Sequence, residues 1–295
     1  MKNLSTTFPL FSREFSLNLN GRRVTFNEPL VMGIINVTPD SFYRGSRFPE
    51  PGEAVKVAKE MLDQGARMLD VGAVSSRPGA EEITEEEEIS RLAPLIGILR
   101  KEIPECVISV DTWRSGVVRK MHQQFRIDLV NDISAGLRDP DIFSTVADLG
   151  LPYIMMHMRG TPTTMQDDPR YHHVVDDLLQ FFGERIYLLR KMGVNDIVVD
   201  PGFGFGKTLE QNYRLLLELD SFRVLELPIM VGISRKSMIY KLLNCEPEDA
   251  LNGTTAAHMA ALLKGANLLR VHDVKAAVET VKIFQQVVDS RTHSV

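Results

Sequence analysis

Cysteine is nearly absent: only Cys106 and Cys245 occur in 295 residues, far apart and without C-x-x-C spacing. That excludes a disulfide framework and a zinc knuckle, and leaves two unrelated buried thiols as the expectation. Long apolar runs are missing as well. Between Met1 and Arg13 only Phe8-Pro9-Leu10-Phe11 is apolar. A secretory signal needs roughly 7–15 such residues in a row and a membrane helix ~20. A soluble, cytoplasmic protein with no membrane partner is expected. Positive charge is not in excess either. The formal net charge of −5 argues against a nucleic-acid partner, so any anion site has to be a local cluster of Lys, Arg and backbone N–H groups. No Pro/Gly/Ser-rich linker or low-complexity tract divides the chain, and roughly 250 residues commonly form one barrel domain.

What the chain does have is a recurring unit, a short apolar run followed by an amphipathic stretch. The runs are Leu30–Ile35, Arg67–Val71, Val107–Val110, Asp128–Val130, Tyr153–Met156, Asp196–Val199, Pro228–Val231 and Asn267–Val271. They are short and do not alternate, as strands of a parallel sheet buried on both faces should be. Between them, Pro51 to Gln64 reads as a helix burying Ala54, Val57, Ala58 and Met61 and ended by Gly65. Thr84 reads as an N-cap with Glu87 completing a capping box, and Ile89, Leu92, Leu95 or Ile96, and Leu99 form one stripe. The acidic run Glu85–Glu88 reads as a solvated first turn favoured by the helix dipole. Residues 14–28 read as a hairpin around Asn20-Gly21, a plug over a barrel floor. Eight strand–helix repeats suit a closed barrel or an open doubly wound sheet, and periodicity does not separate the two.

Polar residues sit where these strands end: Asn36, Asp111, Asn131 with Asp132, His157, Asp200, Ser234 with Arg235 and Lys236, and Arg270 with His272. One such residue is as readily a helix cap, but convergence from most strands is what a barrel active site requires. Asp and Asn groups suit a flat heterocycle rich in N–H and C=O. Lys236, Arg270 and His272 suit an anion, so a ring with a phosphate tail fits both sets, and ATP fits as loosely. Gly202 to Thr208 resembles a phosphate-binding G-x-x-x-x-G-K-S/T loop, but Pro201 stands where the first glycine belongs. A flexible turn that brings backbone close to a flat ligand is the better reading. His172, His173, Asp176 and Asp177 have helical metal-ligand spacing, but without a third distant ligand they read as an exposed helix start.

Taken together, eight stretches resemble the dihydropteroate synthase family over about residues 29–288. They are Met32 to Phe42, Asp70-Val71-Gly72 through Ser75-Ser76-Arg77-Pro78-Gly79, Ser109 to Thr112, Val130 to Ser134, Met155-Met156-His157, Asp200 to Phe205, Ser234-Arg235-Lys236-Ser237, and Arg270 to Asp273. Each is weak alone. In order, each at a strand end, they are specific.

The resemblance implies an α/β fold, a (β/α)8 TIM barrel spanning 29–295, with 1–28 an extension that carries the hairpin. It implies condensation of 6-hydroxymethyl-7,8-dihydropterin pyrophosphate with p-aminobenzoate, Mg2+ as cofactor, and a homodimer. By the same likeness Asp111, Asn131, Asp200 and Lys236 line the pterin site, with Ile133, Met156 and Phe205 as walls. Arg270 covers the ring and, with His272 and Asn36, holds pyrophosphate and metal, and Lys236, Arg270 and His272 carry the catalysis. Thr38, Phe42, Ser76, Arg77 and Pro78 close over p-aminobenzoate, whose carboxylate meets Ser237. Arg44 stands where the family often has an acid, so the role of that position is left open. A pterin-binding methyltransferase barrel would share the floor but lack the Ser-Arg-Pro and Ser-Arg-Lys-Ser motifs. An inactive pterin-binding paralogue would show damage at Asp111, Asp200, Lys236 or Arg270, and all four are intact.

Overall fold

The computed structural model describes residues 14–37, 51–74, 82–160 and 170–292. Eight parallel strands form the sheet: β3 (Leu30–Asn36), β4 (Met68–Gly72), β5 (Ile108–Asp111), β6 (Leu129–Asp132), β7 (Tyr153–Met156), β8 (Ile197–Asp200), β9 (Met230–Val231) and β10 (Leu268–Val271). Their order is β8-β7-β6-β5-β4-β3-β10-β9. A parallel bridge between Val199 and Ile229 joins the two ends, so the sheet closes into a ring. That closure selects the barrel over the open sheet. Helices follow the strands: α1 (Pro51–Asp63), α2 (Glu85–Glu102), α3 (Ser115–Phe125), α4 (Ile142–Leu149), α5 (Val174–Lys191), α6 (Leu209–Leu217), then α7 (Ser237–Leu243) and α8 (Leu251–Leu263) between β9 and β10, and α9 (Val274–Thr292) last. Among the described residues no helix is long and apolar enough to cross a membrane.

The hairpin is β1 (Phe15–Leu19) and β2 (Arg22–Phe26), antiparallel, turning on Asn20 and Gly21, both at positive φ. Positive φ at both positions is the twist-matched two-residue turn that Asn-Gly favours. Leu17, Leu19 and Phe26 pack with Leu30, Met32, Met68, Leu129, Ile154, Val198, Met230 and Leu268, the first inward-facing side chains of the strands. The hairpin is therefore a plug for the lower end of the barrel. The larger core lies outside the ring, where the alternate strand residues meet the helices.

Several expectations need correction. In α1 the half-turn neighbour Val55 is the buried valine, and Val57 is only partly covered. Thr84 caps α2 by accepting the Glu87 N–H at 3.2 Å, but the Glu87 carboxylate turns to Arg91 at 2.5 Å and leaves the box half made. Glu88 is fully buried and bonded to Arg114 rather than solvated, and burial raises its pKa. It lies four residues before Leu92, on the stripe that faces the core. Cys106 is buried, which pushes its thiol up to about 12, whereas Cys245 is partly exposed; both are free.

Candidate active site

Successive side chains on a strand point to opposite faces, so each inward position of the lower barrel is followed two residues later by an inward position nearer the mouth. Met68 is followed by Asp70, Leu129 by Asn131, Ile154 by Met156, Val198 by Asp200, Met230 by Gly232 and Leu268 by Arg270. The lower members are hydrocarbon. Four of the six upper members, Asp70, Asn131, Asp200 and Arg270, are polar, and the structure brings them together.

Arg270 is the hub. Its Nε donates to Asp70 Oδ2 at 2.6 Å and its Nη2 to Asp111 Oδ2 at 2.7 Å. Asn131 Nδ2 donates to the same Asp70 oxygen at 2.9 Å. Asp70 is fully buried, and among the described residues Asp70 Oδ1 and Asn131 Oδ1 have no protein partner. An unmatched buried acceptor costs about 1–3 kcal/mol, so this floor is built for donors arriving from outside. Burial raises the pKa of Asp111 against the pull of Arg270. Burial also works against the Arg270 charge, but Asp70, Asp111 and Asp200 outweigh it and raise its pKa.

On the opposite arc, Asp200 Oδ1 accepts the Gly202 N–H at 2.8 Å, and burial raises the Asp200 pKa. Lys236 Nζ donates to the Phe203 carbonyl at 2.6 Å and lies 4.4 Å from the centre of the Phe205 ring. Burial lowers the Lys236 pKa to about 8 against the opposing pull of Asp200. Gly232 leaves the space between these charges open: a Cβ there would sit 3.7 Å from Asp200 Oδ2 and 3.9 Å from Lys236 Nζ. Gly72 does the same between Asn36 and Asp111, whose atoms a Cβ would meet at 3.3 Å. The apolar wall is a separate cluster of Trp113, Ile133, Met156 and Met158, with Val74 and Phe205 packed on it.

Three of the expected strand-end groups turn away from the site, two by the same alternation and Arg235 in a turn of positive φ past the end of β9. Asp132 and His157 fall on the outer parity. Asp132 braces the next turn, accepting from Ser134 N–H and O–H at 2.7 Å, Gly136 N–H at 2.8 Å and Tyr153 O–H at 2.5 Å. His157 packs edge-on against Phe181 at 4.9 Å. Arg235 is tied to Asp273 at 2.7 and 2.9 Å. His272 keeps its place beside the hub, with Nδ1 3.1 Å from Ser234 Oγ. Burial and the nearby Arg270 push its pKa down to about 3, so at neutral pH it offers a neutral ring rather than a charge. Ser237 opens α7 instead of ending a strand. Thr38, Phe42, Arg44, Ser76, Arg77 and Pro78 lie outside the described residues.

The glycine-rich turn packs its Gly202 backbone closely against the end of β7. Gly202 has φ +70°, and a Cβ there would lie 1.9 Å from the His157 carbonyl oxygen. Lys207 is buried, donating to the carbonyls of Gly202 at 2.9 Å and Phe205 at 3.0 Å. Thr208 then caps α6 in a full capping box with Gln211. His172 and His173 are exposed at the start of α5.

Comparison with known proteins fits this geometry. The family described as pterin binding enzyme matches residues 32–272. The dihydropteroate synthase of Escherichia coli K12 is 40% identical over 273 residues, 92% of this chain and 96% of that one. This chain belongs to the dihydropteroate synthase family. Among solved structures, the family member from Yersinia pestis, in complex with a sulfonamide drug, superposes with a TM-score of 0.89 at 39% identity, covering 93% of this chain and all of that one. The Xanthomonas albilineans enzyme, solved with 4-aminobenzoic acid, gives 0.84 at 39%, covering 93% and 98%. The family match reaches from β3 to His272 and so contains every residue of the hub and its wall. Three residues escaped sequence reasoning: Asp70, Trp113 and Gly232. Their signal was spacing, since Asp70 lies two residues from inward-facing Met68 within β4, and Trp113 and Gly232 lie two residues from Asp111 and Met230, just past the ends of β5 and β9.

Proposed function

We propose that this chain condenses 6-hydroxymethyl-7,8-dihydropterin pyrophosphate with p-aminobenzoate, yielding 7,8-dihydropteroate and pyrophosphate for folate synthesis. The observation that carries the reading is the upper barrel layer, where buried acceptors on Asp70, Asn131 and Asp200 face Lys236 and Arg270 beside one apolar wall. A pterin ring presents N–H donors along one edge and carbonyl and ring-nitrogen acceptors along others. Asp200 accepts from the ring N–H and the 2-amino group side by side, a charge-assisted pair. Asn131 and Asp111 complete the floor, Lys236 donates to the ring's acceptors, and Ile133, Met156 and Phe205 cover its faces.

The amine nitrogen of p-aminobenzoate forms a bond to the exocyclic methylene carbon as that carbon's bond to oxygen breaks. The electron pair leaves with pyrophosphate, and the new secondary amine loses its extra proton to solvent. The nucleophile is neutral, so no strong side-chain base is required. The reduced ring pushes electrons toward the methylene carbon, and the carboxylates of Asp70, Asp111 and Asp200 favour the developing positive charge. Arg270 stabilises the departing anion by charge, and His272, being neutral, by N–H donation. Thr38, Phe42, Ser76, Arg77, Pro78 and Ser237 are assigned to p-aminobenzoate.

Hard oxygens suit Mg2+, which takes one or two protein ligands and fills its shell with phosphate and water. Asn36 Oδ1 supplies such an oxygen at the end of β3, next to Asp111. Among the described residues no group of three or more His, Cys, Asp or Glu forms a cage. Bound there, Mg2+ would neutralise the leaving pyrophosphate. A homodimer through the later helices is supported by Leu242, Leu243, Leu251 and Leu263, exposed on α7 and α8.

The direct test supplies both substrates and Mg2+ to purified protein and follows dihydropteroate and pyrophosphate. Equal amounts of the two are expected. Absence of both overturns the assignment.

A further inference from the structure

Trp113 has no part in the roles assigned above, yet it stands in the middle of the wall. It is two residues beyond Asp111, on the inward parity, and only 6% exposed. It belongs to one apolar cluster with Ile133, Met156 and Met158, on which Val74 and Phe205 pack, so it shares that cluster with all three walls assigned to the pterin. Two guanidinium groups reach its ring. The central carbon of Arg138 lies 3.9 Å from the ring centre and that of Arg114 4.8 Å. Both arginines are themselves fixed. Arg114 donates to the Ile83 carbonyl at 2.6 Å and bonds the buried Glu88, and Arg138 donates to Glu82 at 2.6 Å.

We infer that Trp113 is a fourth wall of the pterin slot and that Arg138 is a positioning residue that holds its indole in place. The inference rests on the pterin reading of the site. An indole has two side-chain torsions, and a cation stacked on its face at 3.9 Å removes the freedom that remains. A wall already fixed loses little entropy when a flat ring docks on it, which is the physical content of preorganisation. The same two arginines grip Glu82 and Ile83, just before the Thr84 cap of α2. The wall is thereby tied to the segment that leads into the second barrel helix. Arg138 acts on the ligand only through Trp113.

Because Trp113 is the single tryptophan of the chain, its indole N–H gives one resonance in protein labelled at tryptophan. The experiment titrates 6-hydroxymethylpterin into wild type, Trp113→Phe, Trp113→Ala and Arg138→Met. Affinity is read by calorimetry, folding by Tm, and the indole resonance by NMR in the two proteins that keep Trp113. In wild type the resonance should move with pterin, since ring-current shifts fall off within a few ångströms. Trp113→Ala should weaken pterin about tenfold, from lost aromatic contact and buried area, and Trp113→Phe should recover most of that. Arg138→Met should weaken it about two- to fivefold with Tm close to wild type, since a partly exposed stacked cation is worth ~0.5–1 kcal/mol. A still indole resonance together with wild-type affinity in Trp113→Ala or Arg138→Met would reduce Trp113 to packing and overturn the inference. Failure of wild type to bind pterin at all would instead overturn the site reading, and this proposal with it.

Discussion

The lower and upper halves of the barrel interior are built from the same strands, two residues apart, and do opposite work. Below, Met32, Met68, Leu129 and Leu268 join the hairpin's Leu17, Leu19 and Phe26 in a dry plug. Above, Asp70, Asn131, Asp200 and Arg270 crowd polar and charged groups that burial alone would disfavour. The lower layer contributes stability through apolar area removed from water. The upper layer is costly, because Asp70 and Asn131 bury acceptors that have no protein partner among the described residues. Donors from a bound ligand would satisfy those acceptors, and the apolar lower layer offsets the cost of burying them.

The comparison breaks most visibly at Arg270. Arg270→Ala strands Asp70 and Asp111 without their cation, and removing one partner of a buried pair costs about 3–5 kcal/mol. Urea unfolding should show that loss. The same variant should bind the pterin pyrophosphate disproportionately worse than the pterin alcohol. An equal loss for both would confine Arg270 to the ring. Met32→Ala, one layer down, should cost about 3 kcal/mol of stability through a cavity while leaving pterin affinity alone. A Met32→Ala protein with weakened pterin binding would show that the two layers are not separable.

Titration sharpens the contrast. Lys236 has a native pKa lowered to about 8 from 10.5. Between those values the unfolded chain holds a proton that the folded chain has released, so stability should rise with pH in that window. Binding should run the other way. As pH rises through about 8 the ammonium is lost, and pterin affinity should fall in wild type but not in Lys236→Met. A flat profile in wild type would remove Lys236 from the ligand. The smallest effect belongs to the scaffold: Thr84→Ala should cost about 1 kcal/mol of stability, the worth of one N-cap, and leave both substrates unaffected.

How far the sequence disclosed this divides along the same line. The strands were legible because eight short apolar runs bounded by turn residues leave few alternatives, and Tyr153–Met156 matches its strand residue for residue. Barrel closure was not, since a bridge between Val199 and Ile229 is a long-range event without local pattern. At the mouth, polar residues were visible at the strand ends, but their direction was not. Asn131 and Asp132 are adjacent, and only parity places the first in the site and the second in a turn. Asp70 stayed hidden inside an apolar run, although its spacing from Met68 marks it as inward. Glu88 was misjudged for a related reason, as an acidic run obscured the stripe that carries it to the core.

The measurement that tests the account most directly is pterin calorimetry on Asp200→Asn, paired with its unfolding curve. The substitution keeps the shape of the side chain but turns one acceptor toward the ligand into a donor. Pterin binding should weaken by about 2–4 kcal/mol. Stability should hold or rise, since burial already raises the Asp200 pKa and the neutral amide escapes that cost. Wild-type pterin affinity in Asp200→Asn, or a loss confined to stability, would contradict the assignment of the upper layer to the ligand.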